Sequence, residues 1–96
     1  MIALEEPPAL TVEEFQKFQD KMFATELMQT LVHRNRVAIR HVIVAEEEMS
    51  RPNTARIDAL ERESRRLDNR RFAAKTTEEI KAVVEEMKTY TVPAFA

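Results

Sequence analysis

The chain contains no glycine in its 96 residues, against an average usage of roughly 7%. Glycine is the residue that reaches positive φ and lets the backbone press close to a phosphate. Its absence excludes the glycine-dependent nucleotide loops and the nucleophile elbow, and it disfavours the tight turns of β-hairpins. Cysteine is absent too, which removes any disulfide framework or thiolate metal site. Aromatic residues make up 6% of the chain, and Phe72 alone lies beside the arginine-rich segment 62–71, so that segment has no base-stacking platform. The longest purely apolar runs, Met1–Leu4 and Val42–Ala45, are far short of the ~20 residues a membrane-spanning helix needs. The opening MIALEEPP is acidic and lacks the basic-then-apolar layout of a secretory signal, so the expected location is the cytoplasm, with no membrane contact.

What remains is a chain of helix formers, 44% hydrophobic and 33% charged, sized for one domain with a modest core. Net charge is −2, but the charges are ordered. All the arginines lie between Arg34 and Arg71, and the segments on either side are acidic. Pairing of acidic flanks with the basic middle, within or between chains, is the simpler explanation; a basic face for nucleic acid is the other.

Prolines and caps divide the chain. Residues 1–10, broken by Pro7 and Pro8, form an extended N-terminal arm. Thr11-Val12-Glu13-Glu14 is a capping box, and the helix it opens runs to about Met49, because Pro52 forces Arg51 out of the helical region. This helix is apolar on one side early, at Phe15, Phe18 and Met22, and on another side later, at Leu27, Leu31, Ile39 and Ile43. A bend near Asp20–Thr25, or partners on both sides, would reconcile the two. The β-branched run Val37–Ala45 has some strand character, but no second run in the chain could pair with it, so a strand there would need an intermolecular partner and a helix is expected.

A second helix opens at Asn53 or Thr54, with Ile57, Leu60, Ser64 and Leu67 at the 3-4 spacing of a coiled-coil seam and with Asp58–Arg62 and Glu61–Arg65 as i,i+4 pairs. A third opens at Thr76-Thr77-Glu78-Glu79. Its stripe, Ile80, Val83, Val84 and Met87, lies roughly 170° from that of the second helix if the two are drawn as one rod, so a break falls near Lys75–Thr77. Residues 91–96, with Pro93, make an extended apolar tail. The fold class expected is all-α: residues 11–90 form a helical hairpin or bundle, one long helix followed by one or two shorter ones folded back antiparallel along it, completed by self-association.

Chemistry is sparse. His33 and His41 lie eight residues apart, about 12 Å along a helix, too far to share a metal, and neither has a carboxylate at helical ligand spacing. Ser50 and Ser64, the only serines, have no base placed near them. Glu46-Glu47-Glu48 sits at the wrong end of a helix for the macrodipole and should be offset by arginines near the turn. The richest constellation is Arg62, Arg65, Arg66, Arg70 and Arg71, whose planar guanidinium groups suit phosphate or carboxylate; interleaved Glu61, Glu63 and Asp68 give it a ready intramolecular explanation.

The expected function is that of a non-catalytic helical assembly or adaptor protein with no cofactor, metal or small-molecule substrate. It would be a homo-oligomer or a subunit of a larger complex, such as a viral or secretion-type particle. Its expected interface is Leu27, Leu31, Ile39, Ile43, Ile57, Leu60, Leu67 and Phe95. The alternative is nucleic-acid binding through the arginine-rich second helix.

Overall fold

The computed structural model describes residues 10–95, and the expected N-terminal arm lies almost wholly outside them. Three helices follow in order: α1 (Val12–Glu47), α2 (Thr54–Ala73) and α3 (Thr77–Lys88). There is no strand among the described residues. The β-branched run Val37–Ala45 is helical because Ile39 and Ile43 take core positions on α1, and packing outweighs propensity there.

Side chains make the helix starts. The Thr11 hydroxyl accepts the Glu14 N–H at 3.1 Å, and the Glu14 carboxylate returns to the Thr11 N–H at 3.3 Å, a complete capping box. Asn53 caps α2 through the Arg56 N–H, and Thr76 caps α3 through the Glu79 N–H, each at 3.1 Å. The helix ends are made without glycine: none of the described residues has positive φ. Ala74 leaves α2 in an extended conformation, with φ −76° and ψ 115°. The carbonyl of Met87, near the end of α3, receives the side-chain amide of Asn35 at 3.0 Å and Arg34 Nη2 at 3.4 Å, both from α1. The same carbonyl takes the Tyr90 N–H at 3.4 Å within its own turn, so a neighbouring helix adds to a long local bond where a glycine cap would often serve.

The turn between α1 and α2 is held by Glu46. Its carboxylate accepts the Asn53 N–H at 2.9 Å and lies 3.6 Å from Arg56. An acid misplaced at the C-terminus of α1 is therefore well placed at the positive end of α2. The expected acid–arginine cluster exists, formed by Glu46 and Arg56.

Helix α2 runs antiparallel to α1, as Glu46 meets Arg56 and Arg36 meets Ser64 and Asp68. The expected antiparallel course of the third helix is corrected. Glu86 reaches back to Arg66 and Arg70, and Tyr90 to Glu63, so α3 reverses at residues 74–76 and runs antiparallel to α2. Along α1, Asp20 meets Lys81 and Asn35 meets Met87, so α3 runs parallel to it. The reversal turns two stripes that would have faced opposite ways onto one core. Helix α1 packs against both shorter helices, which touch each other little. The core joins Met28, Val32, Ile39 and Ile43 of α1 to Leu60 and Leu67 of α2 and to Ile80, Val83, Val84 and Met87 of α3. Residues 91–95 have no regular structure, and Val92 and Phe95 are partly buried against this core.

Because α2 and α3 double back on each other, they cover only part of α1. The first buried residue of α1 is Ala24. The twelve residues before it, Val12–Phe23, extend about 18 Å at 1.5 Å each. The helix runs through Asp20–Thr25 without interruption.

Candidate interaction surface

The start of α1, which α2 and α3 leave uncovered, carries a concentration of exposed large apolar side chains. Val12, Phe15, Phe18, Met22 and Phe23 are between 39% and 74% exposed. Phe15, Phe18 and Met22 follow i, i+3, i+7 spacing and share a face. At 100° per residue that face lies about 110° round from the core stripe of α1, so the helix cannot present both to its own bundle. Beyond Met22 the same face turns polar, through Gln29, His33, Arg36 and Arg40.

On the side of α1 away from this stripe, an open groove of about 320 Å³ runs between α1 and α3. Phe23, Ala24, Leu27 and Val84 form its floor, and Asp20, Lys81, Glu85 and Lys88 its rim. Asp20 and Lys81 close across it at 2.8 Å.

The expected oligomer interface is redistributed by the fold. Leu31, Ile39, Ile43, Leu60 and Leu67 are buried within the single chain, so they are core, and their placement on an interface is corrected. The apolar periodicity marked a covered face; α2 and α3 supply the cover. Ile57 and Phe95 are half-buried and pack on the same core. Leu27 alone of the set remains exposed, at 43%.

The arginine face divides. Arg66 grips Glu63 with two guanidinium N–H groups and also reaches Glu86 at 3.5 Å. Arg70 donates to Glu86 at 2.7 and 3.1 Å. Arg71 lies 3.0 Å from Asp68 and stacks on Phe72, 4.4 Å from the ring centre. Asp68 also faces Arg36 at 3.2 Å, although its Oδ1 meets neither cation in hydrogen-bond geometry. Of the acidic flanks, Glu86 takes part among the described residues; the other carboxylates, Glu46, Glu63 and Asp68, belong to the basic segment itself, which is largely self-neutralised inside one chain. The Asp58–Arg62 and Glu61–Arg65 pairs do not form; i,i+3 pairs, Glu63–Arg66 and Asp68–Arg71, take their place. Arg62, Arg65 and Arg40 have no carboxylate partner among the described residues. Arg36, Arg40 and Arg65 line a shallow groove between α1 and α2 together with Glu61 and Ser64.

Sequence reasoning missed the buried polar residues. Glu63 is buried between Leu60 and Leu67 and accepts Tyr90 Oη–H at 3.0 Å besides Arg66. The Arg66 bonds hold its pKa below the ordinary carboxylate value against the opposing effect of burial, and the Tyr90 bond adds to them. Arg66 is correspondingly raised by Glu63. Burial, then the bond to Glu63, raises Tyr90. The signal was present in the spacing: Asn35 and Glu46 continue the series Met28, Val32, Asn35, Ile39, Ile43, Glu46, and Glu63 interrupts an apolar stripe. A polar residue at a core position of a helix needs a partner.

His33 and His41 are both exposed. Among the described residues no group of three or more metal-ligating side chains is gathered, and no helix is long and apolar enough to cross a membrane. Comparison of the chain with protein-family models, with curated proteins and with solved structures finds no match.

Proposed function

We propose that the protein is a non-catalytic helical interaction protein, a subunit or adaptor that docks protein partners on the uncovered start of α1. The exposure of Phe15, Phe18 and Met22 on one face carries this reading. Aromatic and methionine side chains are enriched in the cores of protein interfaces, and amphipathic helices recognise partners through anchors at this spacing. Lone exposed apolar residues are ordinary; three in one stripe, with Val12 one turn before Phe15, form a contiguous patch of the kind that marks an interaction site.

A photo-crosslinking amino acid in place of Phe18, in the full chain in extracts of its source, tests this. A discrete protein adduct, lost when Phe15→Ser is added and absent when the probe replaces exposed Lys75, is the expected result. A folded chain that yields no adduct from position 18 contradicts it.

A second reading, contact with nucleic acid, rests on the groove of Arg36, Arg40 and Arg65. It predicts retardation of duplex DNA or RNA at low salt that falls steeply as salt rises. No retardation at low salt ends it.

A further inference from the structure

We propose that the partner seated on the α1 stripe is a second copy of this chain, lying antiparallel across it; this rests on the docking reading above. The charges around the stripe point to this occupant. On the far side of the helix, Glu13 pairs with Lys17 at 3.6 Å and Asp20 with Lys81 at 2.8 Å, both within the chain. Glu14 and Lys21 lie together on one flank of the stripe, and neither has an ion-pair partner among the described residues. Glu14 uses one oxygen to hold the Thr11 N–H, which leaves its charge in place.

These two residues are seven apart, the repeat of a helix pair. In an antiparallel pair the same flank of each helix faces its counterpart in reverse order. Glu14 of each copy then meets Lys21 of the other, twice, while Phe15, Phe18 and Met22 close the seam between them. A parallel pair sets Glu14 against the neutral Gln19 and moves the Lys21 contact to Glu26, beyond the end of the stripe at Met22. The antiparallel overlap spans about residues 12–24, some 20 Å. The reversed helix begins at its Thr11 cap, so it ends where the face turns polar. An interface this short falls below about 1,200 Å², the range of reversible association, so the expected species is a monomer in equilibrium with a dimer.

Sedimentation equilibrium of the whole chain, from low micromolar to millimolar concentration, reads this directly, with circular dichroism confirming that each variant is folded. The native sequence should dimerise. Lys21→Glu should weaken the dimer about tenfold, because each of two symmetric contacts turns from attraction to repulsion, and Glu14→Lys added to it should restore the affinity. Loss of the capping box cannot produce that rescue. A double variant as weak as Lys21→Glu alone overturns the antiparallel pairing. A chain that stays monomeric at millimolar concentration overturns the second copy as occupant; the photo-crosslink at position 18 would then still yield an adduct with a different protein, and only a folded chain without any adduct would take the docking reading down as well. Because the chain has no cysteine, register can also be read by oxidation. A mixture of Glu14→Cys and Lys21→Cys should cross-link, whereas Met22→Cys alone cross-linking to itself indicates the parallel pair and overturns the proposal.

Discussion

The side-chain amide of Asn35 donates to the main-chain carbonyl of Met87 at 3.0 Å, fifty-two residues away in sequence. This bond ties the middle of α1 to the end of α3, and it satisfies a terminal carbonyl in a chain that has no glycine to cap its helices. Replacing Asn35 by Ala leaves the Met87 carbonyl with two longer contacts, from Arg34 Nη2 and from the Tyr90 N–H, each at 3.4 Å. The expected loss is about 1–3 kcal/mol, the cost of an under-satisfied buried polar group, measured by denaturant unfolding. A loss within the error of the measurement would mean that water or Arg34 serves the carbonyl equally well.

Stability should depend on pH through Glu63. Its pKa is lowered in the fold, chiefly by Arg66. The ionised form therefore stabilises the fold fully above the ordinary carboxylate range, and that stabilisation disappears as pH falls through the lowered value. Glu63→Gln should reduce stability near neutrality and flatten the acid limb of a stability–pH curve. Tyr90 acts at the other end. Its raised pKa means that the neutral hydroxyl contributes below about pH 10 and the contribution fades as pH rises further. Tyr90→Phe should cost about 1–3 kcal/mol, as for a hydrogen bond to a charged group, and remove the alkaline limb.

The division between core and surface gives a contrast. Leu60 is fully buried, and Leu60→Ala should cost about 2–5 kcal/mol. Leu27, 43% exposed, should tolerate Ala within about 0.5 kcal/mol in the monomer. Leu31→Asp, which places a charge among Met28, Val32 and Ile39, should unfold the chain outright, giving loss of helical circular dichroism.

Much of this fold was legible because local chemistry sets helix boundaries. Thr11, Asn53 and Thr76 cap helices in the sequence as they do in the structure, and Pro52 marks the turn. The apolar stripes were legible too. Periodicity, however, says that a face is covered and not by what. Ile39, Ile43, Leu60 and Leu67 read equally well as an interface until the reversal at residues 74–76 brings α3 onto α1. That reversal depends on long-range partners, Glu86 with Arg66 and Arg70, and no local pattern encodes it. The arginine face suffered likewise: spacing placed Arg62, Arg65, Arg66 and Arg70 on one helix, but only the folded chain shows which of them meet carboxylates. The early stripe of Phe15, Phe18 and Met22 was visible from the start as the apolar face that disagreed with the rest of its helix. Its disagreement is what the bundle leaves uncovered.

The stripe of Phe15, Phe18 and Met22 is proposed to serve contact between chains, not the fold of its own chain. The measurement that addresses it most directly takes the Phe15→Ser/Phe18→Ser variant and determines, on the same preparation, its unfolding free energy and its crosslinking from a photo-reactive residue placed at Met22. The expected result is an unfolding free energy within about 0.5 kcal/mol of the native monomer, the range for surface substitutions, together with loss of the adduct that the same probe forms in the native sequence. A drop of several kcal/mol in stability, or an undiminished adduct, would contradict it.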